Sequence, residues 1–520
     1  MKVQKISGDW TRRKFLATTA AGAGIIVIPS FLAGCRRKTD LVTPGPATFG
    51  GQGHFEQFGV DEALIKQVLA KALSTGGDFA DLFFQHTMSN TIALEDGAVN
   101  RAYSSIELGC GVRVLKGDQT GFAFTEDLSP KALLASAQTA AAVADGPAAM
   151  LSASIQQVST PSYYVIEKPW QEVAVKDKIP LVEQVSERAL AYDKRIKKTR
   201  ASLSDTTGYV LVATSDGRII EDVQPMTEMG IGCTAEHNGQ REENGSSISS
   251  RQGIEFYTGK VVREQADIAA HNTVVLFDAT QPPAGELPVV LAPGLSGILL
   301  HEAIGHGMEA DFNRKGTSVY SEMIGKKIAP EFVTIVDDGT NLNERGTLNT
   351  DDEGQESQRT VLVENGILAS YMHDQISSKH YGVDPTGNGR RDCYRYPPVP
   401  RMRNTYMLNG PHTREEIFRS VKKGVYAERF SNGEVRIGSG DFSFYLKNGY
   451  LIEDGKLTRP IKDSNLIGFG PKVLEEVQMV GDDLALYSGS GWCGKDGQSV
   501  PVGFGLPTIK CGGISVGGVS

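Results

Sequence analysis

The stretch Leu299-Leu300-His301-Glu302-Ala303-Ile304-Gly305-His306-Gly307-Met308-Glu309-Ala310 constrains this chain more than any other. Two histidines with a glutamate beside the first supply two metal ligands and a base. The spacing is His-Glu-x-x-x-His, one residue longer than the usual zinc-protease helix motif. Five residues of a regular α-helix turn about 500°, which leaves the two imidazoles about 140° apart. A shared metal needs both ring nitrogens within about 2.1 Å of it. The helix must therefore widen to an i→i+5 turn here or stop at Gly305, and the glycines flanking His306 permit either. Taken alone, the motif reads equally well as two histidines at a helix end.

The surrounding pattern favours a buried helix. Leu287–Leu291 reads as a short strand, and Pro293 leads into a helix from Leu295 to about Met308. Leu295, Ile298, Leu299, Ala303 and Ile304 bury it, as a dry, preorganised site requires. A third ligand must come from far along the chain. Cys493 is the candidate, in the glycine-rich run Trp492-Cys493-Gly494-Lys495-Asp496-Gly497-Gln498. A thiolate on Zn²⁺ is deprotonated outright, and Lys495 favours the anion further. The alternative is a buried, unreactive cysteine. Asp351-Asp352-Glu353-Gly354 reads as an acidic turn, the alternative being a cation site. Gly387-Asn388-Gly389-Arg390-Arg391 is a tight loop with two guanidinium forks. Asn388, Arg390 and Arg391 are candidates to clamp a substrate carboxylate or peptide backbone, the alternative being a solvated turn.

The chain has 520 residues, enough for two to four domains. A net charge of -9 argues against nucleic-acid binding by electrostatics. Six cysteines form no CxxC pair, so neither a zinc ribbon nor a redox dithiol is indicated. The N-terminus reads as an address: Thr11-Arg12-Arg13-Lys14-Phe15-Leu16, an apolar run, then Leu32-Ala33-Gly34-Cys35. This pattern resembles a twin-arginine (Tat) signal ending in a lipoprotein box, with cleavage before Cys35 and lipidation of its thiol. It predicts export to the bacterial cell envelope, lipid-anchored or periplasmic. The expected layout is a signal at 1–34, a tether at 35–58, an N-terminal α/β domain at 59–283 and a β-rich C-terminal domain at 284–520. The fold class is α+β.

Within the first domain, the apolar stripe Leu64, Ile65, Val68, Leu69 and Ala72 predicts a helix from Val60 to Leu73. Strands are expected at Phe79–Gln85, Thr91–Leu94, Ile106–Val114 and Thr120–Phe124, then a helix from Ser129 to Val143. A helix from Pro180 to about Ala191 precedes strands at Tyr209–Ser215, Arg218–Val223, Met226–Glu236 and Gln252–Thr258.

Taken together, the motifs resemble the TldD/PmbA family of peptidases, of the TldD-type, metal-bearing kind. The resemblance rests on His301-Glu302-Ala303-Ile304-Gly305-His306, on Asp351-Asp352-Glu353-Gly354 with Thr360–Gly366, and on Thr386-Gly387-Asn388-Gly389-Arg390. It continues through Arg401–Thr405, Gly440-Asp441-Phe442 and Cys493–Gln498. The resemblance implies a zinc site of His301, His306 and Cys493, with Glu302 catalytic. It also implies unfolded or short peptide substrates entering an enclosed chamber, and a homodimer or a heterodimer with a PmbA-type chain. Two histidines and a cysteine also serve peptide deformylase, often with Fe²⁺, so iron is the other metal to consider. The rival function is an exported peptide-binding or assembly protein with a vestigial metal site.

Overall fold

Long β-hairpins organise the first half of the chain. In the computed structural model the described residues are 53–152, 154–164 and 166–518, with two short strands upstream at Ala23–Ile26 and Gly45–Pro46. Six long strands form one antiparallel sheet: β1 Phe79–Glu95, β2 Ala98–Lys116, β3 Gln119–Thr125, β4 Ile196–Thr214, β5 Arg218–His237 and β6 Gln240–Ser250. Their spatial order is β6-β5-β4-β1-β2-β3, with Gln156–Gln157 added parallel to β5. Asp96-Gly97 and Asn238-Gly239 close two of the hairpins, all four residues at positive φ, as type I′ turns require.

The strands are longer than hydrophobic alternation predicts, because polar residues also carry the ladder. Thr87–Asn90 joins two expected strands into β1, and cross-strand bonds hold it: Ser89 Oγ to Thr206 Oγ1 at 2.9 Å and Asn90 Nδ2 to Asp205 at 2.8 Å. The expected strand at Gln252–Thr258 is instead a loop with one 3₁₀ turn, Ile254–Phe256. The true last strand, β6, is serine-rich and buried at Ser246–Ser250. Its hydroxyls are satisfied from outside the strand: Ser246 donates to Gln265 O, Ser249 to Gly489 O, and Ser247 bonds Ser490.

Four helices cover one face of this sheet: α1 Glu62–Ala72, α2 Pro130–Ala141, α3 Val175–Tyr192 and α4 Gly259–Val274. Leu64, Val68, Leu133 and Ala137 pack on Leu82, Phe84, Val112 and Val114. Val182, Val185, Val262 and Ala266 pack on Leu203, Met229 and Ile231. Helix α3 begins five residues before Pro180, the expected start. The added turn is pinned by Lys178, whose buried ammonium pairs with Asp205 at 2.5 Å and lies over Trp170. The opposite face of the sheet, at Phe83, Val210, Val212 and Ile220, receives Cys393 and Tyr394 from the second half.

That second half is β-rich, and the whole chain is an α+β fold. One sheet is built around Lys423–Arg436 and Asp441–Glu453, with Val289–Leu291 parallel to the former. A six-stranded sheet contains Ile335–Asp338, Asn404–Met407 and Gly503–Leu506. The helical stretch starting at Gly297–Leu300 lies between the two sheets and touches both. Ile298, Leu299, Ala303, Ile304 and Met308 are all under 4% exposed within the largest core cluster. The strand Ala23–Ile26 pairs antiparallel with Gly433–Arg436 and lies alongside Trp492–Lys495. Among the described residues no helix is long and apolar enough to cross a membrane. Cys35 and most of the expected signal lie outside the described residues.

Candidate metal centre

The His-Glu-x-x-x-His stretch widens rather than stops. Residues Gly297–Leu300 are α-helical, His301–Gly305 form a π-helical turn, and His306–Met308 close in a 3₁₀ turn. The His306 N–H donates to His301 O, the i→i+5 bond that five-residue spacing demands if both rings face one way. The rings lie 5.0 Å apart between centroids at an interplanar angle of 85°. Gly305 is needed for a reason other than backbone freedom. Its φ of −57° and ψ of −52° are ordinary helical values. A Cβ there would sit 2.2 Å from Met402 Sδ, so any larger residue must displace the buried Met402 side chain.

Cys493 arrives from the strand Trp492–Lys495, hairpinned with Gln498–Pro501. Its Sγ lies 3.4 Å from His306 Nε2. The ligand atoms of His301, His306 and Cys493 all lie within 4.8 Å of one another, and all three residues are fully buried. Among the described residues this is the one such cluster. Both carboxylate oxygens of Glu302 are buried without a hydrogen-bond partner, and the ring nitrogens of His301 meet no polar group but the Cys493 sulfur. Orphaned polar atoms of this number cost several kcal/mol unless something else binds them. Two imidazoles and a thiolate are the donor chemistry of zinc or iron, so the residues fit a metal.

The three donors also act on one another's charge. Burial opposes charge on the Cys493 thiol, but His306, Arg401 and His301 outweigh it and hold its pKa well below the usual thiol value. Burial likewise opposes charge on His306, yet the Cys493 sulfur and the Glu309 carboxylate hold its pKa well above the ordinary value. Burial lowers the pKa of His301. Glu302, 4.0 Å from His306 Nε2, is pushed up to about 8 by burial.

Behind the ligands the sequence points to Lys495, as favouring the Cys493 anion, but not to Glu309, and the structure puts the Lys495 ammonium on carboxylates instead. Glu309 Oε2 lies 3.0 Å from His306 Nδ1 and 3.2 Å from Lys495 Nζ. Lys495 also pairs with Asp311 at 2.7 Å and donates to Pro400 O at 2.9 Å. Arg401 donates to the carbonyl of Cys493. The spacing His306-x-x-Glu309 was a usable signal, since it places a carboxylate one turn beyond a ligand.

The loop carrying Asn388, Arg390 and Arg391 is hydrogen-bonded within the protein. Asn388 donates to Asp337 and to Arg401 O; Arg390 donates to Met402 O and Pro501 O. Arg391 donates to Asp352 O and lies 3.4 Å from Asp81. All three are buried, and these bonds tie the protein to itself rather than present an open clamp. The acidic triplet is a turn as expected. Asp351 accepts from Glu353 N, Gln355 N and Gly389 N, while Glu353 pairs with Arg113 at 2.7 Å.

Two imidazoles, a low-pKa thiol and an unpartnered carboxylate at a π-turn define a metallohydrolase type of centre. Comparison with known proteins gives the family. The C-terminal domain of the PmbA/TldA metallopeptidases matches residues 284–518, their domain 1 matches 80–144 and their central domain matches 168–277. The metalloprotease TldD homolog of Haemophilus influenzae is 41% identical over 454 residues, covering 85% of this chain and 93% of its own length. The homolog from Buchnera aphidicola is 39% identical over 448 residues with the same coverage. A zinc metalloprotease TldD homolog of Saccharolobus solfataricus is 28% identical over 455 residues, covering 86% of this chain and 99% of its own. In fold, the chain is similar to TldE from Thermococcus kodakarensis, with a TM-score of 0.69 at 18% identity, over 88% of this chain and 99% of that one. The chain belongs to the TldD/PmbA family and is a metallopeptidase.

Proposed function

We propose that this chain is a zinc-dependent peptidase acting on unfolded or short peptides inside an enclosed chamber. His301, His306 and Cys493 hold the metal, and Glu302 is the general base. The observation that carries this reading is the convergence of three buried donors beside a carboxylate whose oxygens have no partner. Zinc suits a mixed nitrogen–sulfur set, and three protein ligands leave a fourth position for chemistry. Bound there, it supplies Lewis acidity to a scissile carbonyl and to the attacking water. Iron is the competing occupant of such a set, and metal analysis separates the two.

The chain's own residues do the rest. Glu302 takes a proton from the attacking water and returns it to the leaving amine nitrogen. Burial of the centre keeps bulk water away from the reacting carbonyl. The strand Ala23–Ile26, paired with Gly433–Arg436 beside the Cys493 strand, supports a groove that accepts an extended backbone rather than a folded surface. By the same reading the mature chain begins at Cys35, is exported by the Tat route and is lipid-anchored or periplasmic. It pairs with a second chain of the family, a copy of itself or a PmbA-type partner.

The test is metal content and peptide turnover of the purified chain, wild type beside Glu302→Gln. About one zinc per chain in both, with turnover lowered ~10²–10⁴-fold in the variant, is the expected result. Turnover unchanged in the variant removes Glu302 from the mechanism. Bound metal with no hydrolysis in the wild type favours the binding or assembly reading.

A further inference from the structure

Metal-ligating histidines depend on whatever holds their second ring nitrogen, because that bond fixes tautomer and ring orientation. His306 offers its two nitrogens in opposite directions. Nε2 faces Cys493 Sγ at 3.4 Å, and Nδ1 faces Glu309 Oε2 at 3.0 Å. Glu309 therefore stands behind the ring and cannot itself reach a metal on the Nε2 side. Its carboxylate is fully buried, a costly position without compensation. The compensation comes from Lys495, 3.2 Å away, which Asp311 anchors at 2.7 Å and Pro400 O at 2.9 Å. Arg401 adds a second positive group, its Nε 4.0 Å from Glu309 Oε1.

We infer that Glu309 is a positioning residue for the metal centre, holding His306 through Nδ1, and that Lys495 is its obligatory counter-charge. This rests on the metal site proposed above. Lys495 lies two residues beyond Cys493 on one short strand. Docking of that strand thus does two things together: it brings in the third ligand and locks the carboxylate that orients the second. The centre is complete only when the C-terminal hairpin is seated, so a metal cannot be held well by the histidine turn alone.

Zinc affinity, measured by competition with a chromogenic chelator, tests this without reference to turnover. Glu309→Leu should weaken binding ~10–100-fold, the range for losing a group behind a ligand. Glu309→Gln, which keeps a hydrogen-bond acceptor at Nδ1 but drops the charge, should fall between Glu309→Leu and wild type. Lys495→Met should weaken binding as well, although it touches no ligand. The visible absorption of the Co²⁺-loaded protein should shift in the Glu309 variants, which a merely structural role would not produce. Should Glu309→Leu not fold, as judged by circular dichroism, Glu309→Gln and Lys495→Met carry the test. Affinities within about twofold of wild type in these two variants overturn the inference. Wild-type protein that binds no zinc overturns it together with the proposed function. Wild-type protein that binds zinc without cleaving peptides removes only the latter.

Discussion

Cys493 bears the heaviest demand of any single residue, because it joins the last thirty residues of the chain to a turn near the middle. Replacing it by Ala removes a ligand outright. Zinc affinity should therefore fall further than the ~10–100-fold typical of a group one shell out. Chelator competition measures this, and an affinity equal to wild type would leave the thiol as a buried structural cysteine. At this scale the sequence was informative about residue type and spacing, and poor about surroundings. His301, Glu302 and His306 alone read equally well as a helix end and Cys493 as a buried cysteine; the accompanying motifs are what single them out as a site. Arg390 and Arg391 stood out for their forked donors. Yet whether a guanidinium meets a substrate or a backbone carbonyl depends on what folds over it, here Met402, Pro501 and Asp352. Glu309 was missed for the converse reason: a lone carboxylate acquires a role only once Lys495 and His306 are seen to close on it.

The π-turn shows how an element can be read from a geometric demand rather than a propensity. Five-residue spacing required either a widened turn or a stop, and the chain takes the first. What the spacing could not show is that Gly305 serves packing, since that depends on Met402 from the loop a hundred residues later. Gly305→Ala would gain about 1 kcal/mol of intrinsic helix preference. It would also drive a methyl group into Met402 Sδ, and overpacking typically costs about 1–3 kcal/mol. The net expectation is lower thermal stability and weaker zinc binding, with Gly305→Ala/Met402→Ala recovering most of the zinc affinity. A single variant as stable as wild type, with unchanged affinity, contradicts the packing account. The long strands tell a similar story. Alternation located β1 and β5 but cut each in two: β5 at Gln224-Pro225, where proline reads as a break, and β1 at a polar stretch, because hydroxyl and amide ladders across a sheet leave no hydrophobic trace. The serine-rich β6 was misplaced for the same reason.

At the scale of the whole molecule, two features extend beyond the metal turn. The outer part of β2 leaves a long edge, because β3 covers only Cys110–Lys116. Val99, Tyr103 and Ile106 are exposed there, Ile106 by 69%. Open edges with apolar side chains invite pairing with another chain. Tyr103→Lys/Ile106→Lys should therefore shift the proposed dimer toward monomer in sedimentation; an unchanged distribution would place the contact elsewhere.

The second feature binds the two halves together. Arg113 of β2 is completely buried between Asp81 of β1, at 2.6 Å, and Glu353 of the acidic turn, at 2.7 Å. It is one of several links between the first sheet and the C-terminal half, with Arg391–Asp81 and Arg345–Glu228 among the others. Removing one partner of a buried ion pair typically costs about 3–5 kcal/mol, mostly because the remaining charge is stranded. Arg113→Leu should cost that order of stability, and the cost should depend on pH in a definite sense. Burial pushes Glu353 up to about 8 even with Arg113 beside it, and losing that cation pushes it higher. A carboxyl whose folded pKa lies above its unfolded value contributes stability at acid pH and loses it as pH rises through the folded value. At acid pH Glu353 is neutral in both proteins and its share of the penalty is small. As pH rises toward 8 and beyond, the wild-type carboxylate ionises against Arg113 while the variant's cannot do so without cost. The gap in melting temperature between the two proteins should therefore widen from pH 5.5 to pH 8.5. A gap that stays constant across that range would mean that Glu353 does not sense Arg113. The grip between the halves would then rest on the apolar contacts of Phe83, Val210 and Tyr394 instead.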